Sequence, residues 1–190
     1  MAKDYITDRV YEKTDFTVNK LPDADFEGCR FFHCNFSDAD LSGYNFTECS
    51  FEDCNLSSAK IIQTTFNDTT FSGCKMMGLH FENVNEFLFT VSFENCILNF
   101  SSFYKRKMKK TIFSRCSLQE VDFTETDLTE VSFNECDLQL AKFEHTILEK
   151  ADLRTSFNYS IDPAFNKVRK ARFSLPGVLR LLDKYDILID

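Results

Sequence analysis

From Phe16 onward a large apolar residue returns at every fifth position: Phe16, Leu21, Phe26, Phe31, Phe36, Leu41, Phe46, Phe51, Leu56, Ile61, Phe66, Phe71, Met76 and Phe81. After a slip of two residues the count resumes at Phe93 and runs to Leu153. A helix repeats at about 3.6 residues and a strand at two, so a strict period of five belongs to neither. Around each central residue i, position i−2 is small, i−1 is often Asp or Asn, and i+1 and i+2 are mostly polar. Two inward positions and three outward ones fit a square-sided coil in which each pentapeptide makes one side. One such unit cannot bury its apolar residue, whereas stacked coils bury a continuous column.

A longer period sets the number of sides. Residues 20 apart match in type from Phe93 onward: Phe93, Phe113 and Phe133 form one column, and Phe103, Phe123 and Phe143 the opposite one. Leu98, Leu118 and Leu138 make a third, and Met108, Leu128 and Leu148 the fourth. Four pentapeptides therefore complete a coil. In the N-terminal half the all-Phe columns (Phe26, Phe46, Phe66 and Phe31, Phe51, Phe71) fall on adjacent sides, so the two halves are packed differently across the slip.

The slip lies within 83–91. It is either a bulge between two stacks or a protruding contact loop, and an excess of only two residues favours the bulge. Arg106 occupies an inward i−2 slot, where an unpaired charge is costly. Because Lys105, Lys107, Lys109 and Lys110 flank it, that corner is expected to swing outward. Tyr44, another oversized i−2 residue, is expected to mark a local distortion. After Leu153 the repeat fades. Ser174 can cap a helix with Pro176 in its first turn. Leu175, Val178, Leu179 and Leu182 follow the spacing of one apolar helical face, and Ile187-Leu188-Ile189 reads as a short final strand. Either this segment caps its own stack, or it caps and also pairs with a second copy. Its apolar surface exceeds what a cap needs, which points to a two-fold homodimer through Leu175, Val178, Leu179, Leu182, Ile187 and Ile189.

Composition narrows the chemistry. The chain has 22 Phe, no Trp, and only 5 Gly and 3 Pro, few for a sheet protein with ordinary tight turns. All eight cysteines occupy i−2 slots that elsewhere hold Ala, Thr or Val, so they read as small buried residues with free thiols. Cys96, Cys116 and Cys136 should stack at about 4.8 Å, yet parallel side chains meet the disulfide torsion poorly. No CxxC pair suggests zinc. His33, His80 and His145 fall in outward slots, and no phosphate-binding loop, HExxH or GxSxG motif occurs. Neither an enzyme nor a cofactor site is expected. No apolar run approaches 18 residues, and Met1-Ala2-Lys3-Asp4 lacks a signal-peptide core, so a cytoplasmic protein with no membrane contact is expected.

The repeats, among them Ala39-Asp40-Leu41, Cys54-Asn55-Leu56, Thr126-Asp127-Leu128, Cys136-Asp137-Leu138 and Ala151-Asp152-Leu153, closely resemble the pentapeptide-repeat family, whose motif is A(D/N)Lxx. The resemblance implies an all-β solenoid, a right-handed quadrilateral parallel β-helix, here with a short C-terminal α-helix. The organisation expected is residues 1–13 as an N-terminal cap or degenerate repeat, 14–154 as the solenoid, and 155–190 as the C-terminal cap and dimerisation segment. The stretch Ala151-Asp152-Leu153-Arg154, then Asn158-Tyr159-Ser160-Ile161-Asp162-Pro163 and Lys170-Ala171-Arg172-Phe173-Ser174, is similar to the Qnr quinolone-resistance proteins. That likeness implies a dimer that binds type II topoisomerases, DNA gyrase and topoisomerase IV, by mimicking DNA. The two long loops that some Qnr proteins project from the solenoid have no counterpart here.

Charge fits the same expectation. Residues 154–190 carry seven basic and four acidic side chains, leaving 15 basic and 26 acidic on residues 1–153. Over about seven coils of ~4.8 Å this is roughly one net charge per 3 Å, against one per ~1.7 Å in duplex DNA. Such a rod repels nucleic acid and attracts DNA-binding surfaces. Candidate partner-binding residues are the acids Glu120, Asp122, Glu125, Asp127 and Glu130, with the basic corner Lys105, Arg106 and Lys107. The alternative is a general protein-interaction scaffold whose basic corner contacts an acidic partner.

Overall fold

A computed structural model of the protein describes residues 3–185, 187 and 188. Ten short strands lie in one parallel sheet wound into a quadrilateral solenoid. They are β1 (Asp4–Thr7), β2 (Val10–Glu12), β3 (Ala24–Glu27), β4 (Arg30–Phe32), β5 (Asn45–Thr47), β6 (Ser50–Glu52), β7 (Thr65–Ser72), β8 (Phe89–Glu94), β9 (Ile112–Ser114) and β10 (Ser132–Asn134). Partners are 20 residues apart, as in Phe26↔Phe46 and Phe31↔Phe51, except across the slip, where they are 23 apart at Phe66↔Phe89 and 22 apart at Phe71↔Phe93, Lys75↔Ile97 and His80↔Ser102. Residues 4–12 already form the first coil, β1 pairing β3 and β2 pairing β4.

The repeat has a local reason for each polar choice. An Asp or Asn at i−1 accepts a hydrogen bond from the backbone N–H at i+1, as Asn35 does from Ser37 (3.1 Å), Asp122 from Thr124 (2.8 Å) and Asp127 from Thr129 (3.1 Å). This side-chain turn folds the corner before any long-range contact forms. At i−2 a hydroxyl or thiol donates to a carbonyl 23 residues earlier. Thr64 reaches the Leu41 carbonyl at 2.7 Å, Thr126 that of Phe103 at 2.8 Å, and Cys54 that of Phe31 at 3.3 Å. Cysteine here is a weak donor as well as a filler.

Inside, the columns are those the period predicts. Tyr11, Phe31, Phe51, Phe71, Phe93, Phe113 and Phe133 stack without a break, successive ring centres 5.0, 4.7, 5.1, 5.4, 5.1 and 5.2 Å apart. We call this the second side. The first side carries Ile6, Phe26, Phe46 and Phe66 below the slip, and Phe89, Met108, Leu128, Leu148 and Val168 from the slip upward. Leu and Met fill most of the third side. On the fourth side Phe81 stacks on Phe103 at 4.5 Å, followed by Phe123 and Phe143. All eight cysteines are free and buried, and six of them (Cys34, Cys54, Cys74, Cys96, Cys116 and Cys136) occupy one ladder.

Three expectations are corrected. The corner at Arg106 does not swing outward. Arg106 is 8% exposed, and Lys107 pairs regularly with Asp127. The coil beneath gives way instead, its two extra residues making room for the guanidinium. Tyr44 causes no break in register, because its hydroxyl reaches the Leu21 carbonyl at 2.9 Å while Asn45 pairs normally with Thr65. Beyond the last coil, Ile187 and Leu188 form no strand, and Ile189 lies outside the described residues. The helix α1 spans only Leu175–Val178, its Gly177 N–H bonded to the Ser174 hydroxyl at 3.1 Å, and two 3-10 turns follow. The upper end is covered by Tyr159 and Ile161, both buried, with Phe173 and Leu181 packed against the core.

Candidate interaction surface

The five acids singled out from sequence lie on one coil but not on one face. Glu120 is at the corner between third and fourth sides, Asp122 is on the fourth, Glu125 at the next corner, Asp127 on the first side, and Glu130 at its far corner. They wrap the rod. The basic corner lies one coil below and is turned toward them. Lys105 meets Glu125 at 3.6 Å, Lys109 meets Asp127 at 3.3 Å, and Glu130 is held by Lys110 at 4.0 Å and Lys150 at 2.6 Å. Burial works against ionisation of Asp127, but hydrogen bonds from Thr129 and the nearby Lys109 ammonium outweigh it and hold the carboxyl below its usual value. The hydrogen bond and charge of Lys150 do the same for Glu130. The twenty-residue spacing of Lys105 with Glu125, and of Lys110 with Glu130 and Lys150, is the signal by which sequence could have disclosed these pairs.

Arg106 belongs to a different arrangement. Its guanidinium donates to the Asn85 carbonyl at 3.0 Å and lies 5.2 Å from the Phe89 ring centre, and burial lowers its pKa. The bulge it supports carries Phe87 and Leu88 outward, 85% and 51% exposed. Nothing in the five-residue count marks these two as protruding, because they fall between its two frames. Lys107 stands beside Phe87 with no ion-pair partner among the described residues.

Net charge divides at this bulge. Residues 1–86 hold seven basic and fifteen acidic side chains, and residues 87–190 hold fifteen of each. The whole net charge of −8 therefore sits below the bulge. The tail residues named from sequence that lie among the described residues are surface-exposed: Leu175 at 86%, Val178, Leu179, Leu182 and Ile187. Leu181, one position off the predicted face, packs inward instead.

Among the described residues no group of three or more His, Cys, Asp or Glu side chains could hold a metal ion. No helix there is long and apolar enough to cross a membrane. His33 lies 3.8 Å from Asp53 and His80 2.8 Å from Glu82, both on the surface. His145 is also exposed.

Sequence profiles of pentapeptide repeats match residues 12–47, 34–73 and 49–85, and a profile of the pentapeptide repeat region matches 87–158. The chain belongs to the pentapeptide-repeat family. The profile matches meet at the bulge, where the register changes. No curated protein matches the sequence. Among solved structures, two trypsin-treated variants of QnrB1, a plasmid-mediated fluoroquinolone resistance protein, share the pentapeptide-repeat fold. One has 18% identity, a TM-score of 0.51, and a match covering 98% of this chain and 100% of that one. The other has 20% identity, a TM-score of 0.52, and coverage of 100% and 91%. HetL, a pentapeptide repeat protein involved in heterocyst differentiation regulation in the cyanobacterium Nostoc, matches at 15% identity and a TM-score of 0.47 over 93% of this chain and 89% of that one.

Proposed function

We propose that this is a non-enzymatic, Qnr-like protein of the cytoplasm. In this reading its acidic lower half occupies the DNA-binding surface of a type II topoisomerase, DNA gyrase or topoisomerase IV, and protects it against quinolones. The observation that carries the reading is the partition of charge. A net −8 over the four lower coils, about 19 Å at ~4.8 Å per coil, is roughly one charge per 2.4 Å. Duplex DNA carries one per ~1.7 Å, so this half approaches DNA more closely than the rod averaged along its length. The core of stacked rings leaves the outward carboxylates as the means of recognition. The exposed tail residues Leu175, Val178, Leu179, Leu182 and Ile187 are proposed to pair two copies. A scaffold that used the basic corner would rest on Lys107, since Lys105 and Arg106 are engaged within the chain.

The test is a supercoiling assay with purified gyrase, with and without a quinolone, together with direct binding. Wild-type protein is expected to bind and to shift the inhibitory quinolone concentration. Replacing Asp25, Glu27 and Glu48 by the corresponding amides is expected to weaken binding at least tenfold, while changes at Glu125 and Glu130 have little effect. Absence of binding by the folded wild type would refute the reading.

A further inference from the structure

The first side of the solenoid changes sign along its length. Below the bulge its outward positions carry Asp8, Asp25, Glu27, Glu48 and Asp68 and no base. Above it they carry seven bases against three acids, Asp127, Glu130 and Glu149. Lys107, Lys167, Arg169 and Lys170 have no ion-pair partner among the described residues, nor do Glu27, Glu48 and Asp68. Between the two halves stand Phe87 and Leu88, the exposed tip of the bulge. Counting the inward residues of this side, Ile6, Phe26, Phe46, Phe66, Phe89, Met108, Leu128, Leu148 and Val168, the bulge occupies the middle level with four on either hand.

We propose that this side binds a second copy of the chain, antiparallel, about a two-fold axis through the bulge. Such an axis brings Asp68 of one protomer opposite Lys110 of its partner, and Asp8 opposite Lys170. Glu48 then meets Glu130, which Lys110 and Lys150 already neutralise, and Glu27 meets Glu149 beside Lys150. Phe87 packs near its own copy at the axis, as an isologous contact requires. A parallel arrangement would set acid on acid and base on base, which selects the antiparallel one. The footprint is small. Eight steps of ~4.8 Å by about 10 Å of strand give roughly 400 Å² a side, half of what a standard interface buries. The association is therefore weak and falls as salt screens it.

The experiment is sedimentation velocity on full-length protein carrying Leu175→Asp and Leu179→Asp, which removes the proposed tail pairing. In 20 mM salt this chain is expected to dimerise with concentration, and in 500 mM salt to be monomeric. Adding Lys110→Glu with Lys170→Glu, or Asp8→Lys with Asp68→Lys, or Phe87→Ser alone, is expected to raise the dimer dissociation constant at least tenfold. The two charge-reversed chains, mixed, should regain a heterodimer, because reversal on opposite halves restores complementarity. Circular dichroism melts confirm that each variant is folded. A monomer at every concentration in low salt overturns the proposal, as does a dimer indifferent to these changes or a mixture that fails to pair. Gyrase binding is measured separately, so its failure and this one are distinguishable.

Discussion

Among the described residues most corners of the coil, though not those at Val18, Asp23 and Asn83, are turned by a residue of positive φ, usually the one two places after the central side chain. Four of these are glycine and 23 are not, among them Phe100 at +63° and Leu140 at +58°. A left-handed non-glycine residue costs about 1–2 kcal/mol, and stacking holds it there. The Glu130 N–H, for example, bonds to the Glu149 carbonyl one coil on at 2.9 Å. Few glycines therefore do not mean few turns. Leu140→Gly, at a site 69% exposed, is expected to raise stability by up to about 1 kcal/mol in urea unfolding, and a loss of that size would overturn the argument. The buried thiols give a second expectation. Burial pushes Cys49 up to about 12, against about 8.5 in an unfolded chain. A raised folded value means that stability is whole below pH ~8.5 and is lost as pH climbs toward 12, since only the unfolded thiol ionises over that range. The melting temperature should fall between pH 8 and 10.5, and Cys49→Thr should flatten the decline.

Two irregular elements rest on single contacts. Arg106 ties the bulge to the coil above through the Asn85 carbonyl and the Phe89 ring. Arg106→Ala should cost about 2–3 kcal/mol and speed hydrogen exchange at residues 85–90 while Phe113 and its neighbours stay protected. At the upper end Gly177 lies against Tyr159, and a Cβ there would overlap the Tyr159 hydroxyl. Gly177→Ala should lower stability by about 1–3 kcal/mol, and Tyr159→Phe with Gly177→Ala should recover part of it. The contrast with the regular coils is instructive. The columns were legible because a one-dimensional period fixes register when every coil repeats the same contact. The bulge tip and the Tyr159 cap were not, because each depends on one pairing outside the period. Two extra residues can be lodged anywhere from 83 to 91 until Arg106 is known to bond Asn85.

Over the whole molecule, sequence sums gave an acidic rod but not where the acid is free. Glu125, Asp127 and Glu130 looked available and are paired across coils, whereas the carboxylates below the bulge keep the entire net charge. The proposed topoisomerase binding should accordingly weaken steeply with salt, and more from changes below residue 86 than above it, as a titration between 50 and 300 mM salt would show. If tail and first-side contacts both operate, wild-type protein in low salt should sediment as species larger than a dimer. The 22-residue step at β7–β8 also bears on how such a gene can change. Twenty residues, one coil, can be duplicated in frame without altering any contact type, lengthening the rod by about 4.8 Å. A duplication on one side of Phe87 alone moves the hydrophobic tip off centre, so the two arms no longer match. Relatives that keep this mode of pairing should therefore vary in length by whole coils added to both arms together, and those with unequal arms should have lost the exposed phenylalanine.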